Sequence, residues 1–115
     1  MTIEQNIGKT HLLELDNIKN AFLIGVYKTS KDKLVCVEHL EELKNLSITY
    51  GFNPAEKMCV PLKRIESSTY LGSGKIEEIK NIIEELNIDI IIFDMDIAPH
   101  QQRNLEKELK KILFF

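Results

Sequence analysis

The chain has 115 residues and a mass of 13.3 kDa, which leaves room for one hydrophobic core and not two. With 43% hydrophobic and 29% charged residues it is neither a disordered tail nor a fibre. Lys+Arg of 15 against Asp+Glu of 18 gives a net charge of −3, so any contact with RNA must be local rather than spread over a basic surface. Arginine occurs only at Arg64 and Arg103, which limits bidentate phosphate recognition to two anchors. Cys36 and Cys59 lack metal-ligand spacing, and His11, His39 and His100 do not complete a zinc set; they read as reduced thiols and scattered imidazoles. The amino terminus has no secretory pattern, and no apolar run approaches the roughly 20 residues of a membrane helix. A cytoplasmic protein with no membrane contact is expected.

In chain order, residues 1–20 show no clear period and are expected to form an N-terminal arm, with the domain proper over 21–115. Gly8-Lys9-Thr10 has the ending of a phosphate loop, but the glycine the pattern needs five positions earlier is Ile3, and no strand precedes it. Ala21 to Tyr27 is a nearly continuous apolar run, the pattern of a strand buried on both faces. Turn-forming Thr29 to Lys33 follows. Cys36, Leu40, Leu43, Ser47 and Tyr50 then recur at helical spacing, and Gly51 ends that helix. Lys57 to Val60 with Leu62 predicts a second strand, which Pro61 places at a sheet edge. The segment from Lys63 to Gly74 is expected to be a long, functional loop.

Ile76, Ile79, Ile82, Ile83 and Leu86 predict the clearest helix, and Ile88 to Phe93 a central parallel strand with Asp94 and Asp96 at its carboxyl end. Pro99 opens a third helix whose inward stripe is read as Leu105, Leu109 and Ile112. Ile112 to Phe115 suggests a fourth strand cut short, as if the chain were the front part of a longer protein. Strands alternating with helices imply an α/β fold: a single three-layer domain with a mostly parallel sheet of about four strands flanked by helices.

Three segments carry candidate chemistry. Gly72-Ser73-Gly74-Lys75 sits immediately before a helix, where backbone N–H groups, the helix dipole and Lys75 could hold an anion; a tight turn with Tyr70 packed beneath it accounts for the residues equally well. Asp94 and Asp96 resemble the DxD start of haloacid dehalogenase-like phosphotransferases. Ile97 and Ala98 follow them, however, and too little chain remains for the other catalytic residues, so they read as the solvated end of a strand and only weak Mg²⁺ candidates. Gln101, Gln102, Arg103 and Asn104 cluster on the first turns of the last helix and read as an ordinary polar face or as hydrogen bonders to a sugar-phosphate backbone.

Taken together, Thr69-Tyr70-Leu71-Gly72-Ser73-Gly74-Lys75, the strand Ile91-Ile92-Phe93-Asp94 and Pro99-His100-Gln101-Gln102-Arg103-Asn104-Leu105-Glu106 resemble, in order and spacing, the N-terminal domain of the HflX family of ribosome-associated GTPases. The likeness takes in about residues 21–115, including the Leu40-Glu41-Glu42-Leu43 helix and the Lys63-Arg64 pair. Ala98 stands where the family usually has a serine, and the prolines common before the Thr-Tyr motif are absent.

The resemblance implies a binding and regulatory domain, not an enzyme in itself, whose partners are the large ribosomal subunit with its rRNA and the C-terminal helical and GTPase domains of a parent protein. GTP and Mg²⁺ would belong to that GTPase domain, and no cofactor to this chain. The resemblance also admits ATP as a ligand of the region, with Gly72 to Lys75 as the candidate site. The implied RNA or phosphate contacts are Lys63, Arg64, Tyr70, Gly72, Ser73, Gly74, Lys75, Gln101, Gln102, Arg103 and Asn104. The competing expectations are a small nucleotide- or phosphate-binding domain pairing the Gly72–Lys75 turn with Asp94 and Asp96, and a purely structural domain that steadies the GTPase.

Overall fold

The structure, a computed structural model, describes residues 18–114 and side chains through Lys111. The elements run β1 (Asn20–Tyr27), α1 (Ser30–Thr49), β2 (Asn53–Pro61), α2 (Ser73–Leu86), β3 (Ile90–Asp94), α3 (Pro99–Leu109) and β4 (Ile112–Phe114). The four strands form one sheet in the order β2-β1-β3-β4, and every neighbouring pair is parallel. This is the expected α/β class. The expected arm lies outside the described residues apart from Ile18 to Asn20, of which Asn20 already opens β1; Gly8-Lys9-Thr10 and Phe115 also lie outside them.

The apolar runs are explained by burial on two faces. Phe22 and Ile24 of β1 and Ile91 and Phe93 of β3 pack with Ile76, Ile79 and Ile83 of α2 and Leu105 and Leu109 of α3. The alternate residues Ala21, Leu23, Ile90 and Ile92 face the other way and meet Cys36 and Leu40 of α1. A strand sandwiched in this manner has no polar side to alternate with. Lys80 reinforces the two-helix face, reaching from α2 to Glu108 of α3 at 3.3 Å.

Several boundaries differ from the sequence-based expectation. Helix α1 starts at Ser30, because Thr29 is its N-cap and Thr29 Oγ1 accepts the N–H of Asp32; the polar stretch expected as a turn is the first helical turn. Tyr50, expected on the inward stripe, is the C-cap and 78% exposed. Strand β2 begins at Asn53, earlier than expected, and occupies the edge that Pro61 required. Ile112 belongs to β4 rather than to the α3 stripe, since the helix ends at Leu109 and Lys110 turns into the left-handed region at φ 55°.

Candidate phosphate-contact rim

Because all strands run one way, the β-to-α connections share the carboxyl edge of the sheet. The strand order reverses between β1 and β3, the place where open α/β sheets commonly bind ligands. The connection after β2 dominates this rim. Leu62 N–H donates to the carbonyl of Tyr27 at the end of β1, and Lys63 and Arg64 then stand exposed. With Lys28, the first residue after β1, they line an open cavity of about 500 Å³. Sequence reasoning misses Lys28, although its position just beyond a strand's carboxyl end is the available signal.

Residues 66–70 form a closed loop. The backbone N–H groups of Glu66 and Tyr70 each donate to the other's carbonyl at 3.0 Å, and Thr69 Oγ1 donates to the carbonyl of Leu71. Tyr70 takes φ 69° to close it, a conformation that costs a non-glycine residue roughly 1 kcal/mol. Burial of the Tyr70 ring and of Leu71, which is fully enclosed, holds that conformation in place. Burial, and secondarily the negative charge of Asp96, pushes the Tyr70 phenol above its ordinary value.

Helix α3 holds this loop with three side chains. Gln101 Nε2 donates to the carbonyl of Glu66 at 3.0 Å, His100 Nε2 lies 2.9 Å from that of Ser67, and Asn104 Nδ2 donates to that of Ser68 at 2.7 Å. Gln101 Oε1 also accepts the N–H of Ala98, so the 8% exposed residue uses its carboxamide at both ends. The Ser67 carbonyl can only accept, so the Nε2 of His100 carries the proton. The two motifs therefore meet, but Gln101 and Asn104 direct amide hydrogens to the loop. Gln102 donates to Glu106 one turn on, and Arg103 is exposed. Ala98 offers the helix no side-chain cap, as its residue type requires.

At the start of α2, Gly72 is the N-cap, also without a side-chain cap, and Ser73 and Gly74 are exposed. A Cβ placed on Gly72 or Gly74 would meet nothing within 4 Å, so packing does not require glycine at either position. Lys75 Nζ is bound to Glu78 at 2.7 Å and Arg64 to Glu66 at 2.9 Å, which offsets part of the local positive charge. Arg64, Ser68, Thr69 and Ser73 line a second cavity of about 470 Å³. Asp94 lies on the opposite face of the sheet, its Oδ2 3.6 Å from Nδ1 of His39 on α1. The acidic residue and the glycine turn thus do not share a face. Among the described residues no group of three or more His, Cys, Asp or Glu is placed to hold a metal ion, and no helix is long and apolar enough to cross a membrane.

The profile of the family described as GTP-binding GTPase N-terminal matches residues 37–113, from the second turn of α1 into β4. The chain belongs to that family. It is 41% identical over 90 residues to a "GTPase HflX" of Chlamydia pneumoniae, a match covering 77% of this chain and 19% of the relative. A "GTPase HflX" of Lacrimispora saccharolytica is 39% identical over 100 residues, covering 87% of this chain and 23% of the relative. One from Flavobacterium psychrophilum is 32% identical over 94 residues, with 82% and 23% covered. The chain spans about a fifth of the length of these curated relatives. It is an HflX-type N-terminal domain, and HflX is a GTPase family. In this HflX-type domain both diagnostic segments, Thr69 to Lys75 and Pro99 to Glu106, serve one local purpose: the second holds the backbone that leads into the first.

Proposed function

We propose that this HflX-type domain is the large-subunit contact module of a cytoplasmic GTPase, docking its carboxyl rim on rRNA while GTP and Mg²⁺ bind in a separate domain. The observation that carries this reading is the gathering of Lys28, Lys63 and Arg64 around one open cavity on a molecule of net charge −3. A local basic rim on an acidic body favours one orientation on a polyanion and disfavours non-specific coating. Lys63, Arg64 and the exposed Arg103 supply phosphate contacts. Lys75 joins them by giving up Glu78, and the open glycines at 72 and 74 let a phosphate approach the N–H groups at the start of α2. Tyr70, Gln101 and Asn104 act by holding the loop next to Arg64, Ser73 lines the cavity it shares with Arg64 and Ser68, and Gln102 on α3 adds a further hydrogen-bonding contact to the RNA. The domain's other partners are the helical and GTPase regions of the parent.

The test is binding of the chain to purified large ribosomal subunits over a salt series. Charge reversal of Lys63 and Arg64 should weaken binding at least tenfold and flatten the logarithmic salt slope by about one for each phosphate no longer neutralised. Unchanged affinity and slope would defeat the proposal. Calorimetric titration with ATP separates off the nucleotide-binding reading, which requires saturable heat that Gly74→Glu abolishes.

A further inference from the structure

The sheet register sets Cys59 of β2, Gly25 of β1 and Asp94 of β3 side by side. All three look toward α1: Cys59 packs in the core cluster beneath that helix, Asp94 meets His39, and a Cβ added to Gly25 would lie 2.7 Å from Cys36 Sγ. The absent side chain lets Cys36 settle onto β1 next to the strand that carries Cys59. Cys36 Sγ thus lies over Gly25, whose partner across the β1–β2 ladder is Cys59, so the two thiols approach each other in the gap that the glycine leaves. Cys36 is buried, and Cys59 is half-exposed.

We propose that Cys36 and Cys59 are a peroxide-responsive dithiol that closes to an intramolecular disulfide and staples α1 to β2. Burial, followed by its neighbour Cys59, pushes the Cys36 thiol up to about 12, so Cys36 is protonated at neutral pH and the accessible Cys59 is the entry point. The Cys59 thiolate attacks one oxygen of a hydroperoxide. A sulfur–oxygen bond forms, the O–O bond breaks, and with hydrogen peroxide the departing hydroxide takes up the proton that the Cys59 thiol had released and leaves as water. The Cys36 sulfur then attacks the Cys59 sulfenic acid; the S–S bond forms, the S–O bond breaks, and the departing hydroxide leaves with the Cys36 proton as a second water. Two thiols are oxidised by two electrons and the peroxide is reduced to two waters.

The experiment treats the whole chain with hydrogen peroxide and reads denatured thiol count, intact mass and tryptic linkage. Both thiols should disappear together, with a mass loss of two hydrogens, a monomer on non-reducing gels and full reversal by dithiothreitol. The thermal midpoint of the oxidised form should rise by roughly 5–10 °C. Cys36→Ser should hold Cys59 as a sulfenic acid that dimedone traps, and Cys59→Ser should slow peroxide consumption at least tenfold. Two free thiols after excess peroxide, disulfide-linked dimers, or Cys59 gaining oxygens without a cross-link would each overturn the proposal. The tryptic linkage of the unsubstituted chain decides the matter even where a variant fails to fold.

Discussion

Gln101 donates its carboxamide hydrogen to the carbonyl of Glu66 at 3.0 Å, joining the first turn of α3 to a loop 35 residues earlier in the chain. The same side chain takes the N–H of Ala98. Replacing Gln101 with Leu keeps the volume but strands the N–H of Ala98 and leaves the carbonyl of Glu66 with the N–H of Tyr70 as its remaining partner. A stranded group of this kind costs about 1–3 kcal/mol, partly recovered where water reaches it, and the lost bond to Glu66 adds to it. The expected destabilisation is about 2 kcal/mol in urea unfolding at unchanged m-value. Proteolysis between residues 64 and 72 should also accelerate, because that loop is no longer held to α3.

Gly25 and Cys36 should behave as a coupled pair. Gly25→Ala puts a methyl group 2.7 Å from Cys36 Sγ, and overpacking of this kind costs about 1–3 kcal/mol. Cys36→Ala removes the atom in the way. The double variant should therefore be more stable than the two single effects add up to, with an interaction of at least about 1 kcal/mol in a double-mutant cycle. Strict additivity would mean that α1 does not rest on Gly25 through this sulfur.

Ala98→Ser should add a missing cap. Ala98 already has the extended conformation of an N-cap at ψ 150°, and a serine hydroxyl there can accept the N–H of Gln101. The expected gain is about 1 kcal/mol, visible as a rise of roughly 4–8 °C in thermal midpoint.

Alkaline pH should destabilise the domain in a manner that Cys36→Ser reduces. The Cys36 thiol titrates at about 12 in the folded chain against 9.0 ordinarily, so between those values the folded state holds a proton that the unfolded state has released. Stability from this source is full below about pH 9 and declines as pH climbs toward 12. Tyr70, also raised by burial, adds the same sign above its ordinary value of 10.0. Urea midpoints measured at about pH 8 and about pH 10.5 should differ by less in Cys36→Ser than in the unsubstituted chain.

What is legible in the sequence follows from how local each cause is. β1 and β3 can be read because both faces of each are buried, which removes polar residues from the run; α2 can be read because its stripe repeats without interruption. The start of α1 escapes sequence reasoning because Thr29 and Ser30 favour caps and turns alike. Tyr50 is misplaced because periodicity does not say where a helix parts from the sheet. The roles of His100, Gln101 and Asn104 depend on three carbonyls more than thirty residues away, and no spacing in the chain encodes that distance. The meeting of Cys36 with Cys59 depends on strand register and on one absent methyl group, neither of which composition records.

A sheet whose strands all run one way divides its labour by direction. Every turn at one margin is free to change its chemistry, while the opposite margin is tied together by Asn20, whose side chain and backbone reach Asn53, Asn87 and Asp89. Grafting a different loop between Leu62 and Thr69 would therefore alter what the domain touches without disturbing how it folds, provided that Tyr70 and Leu71 keep their places in the core and Gln101 still finds a carbonyl to hold.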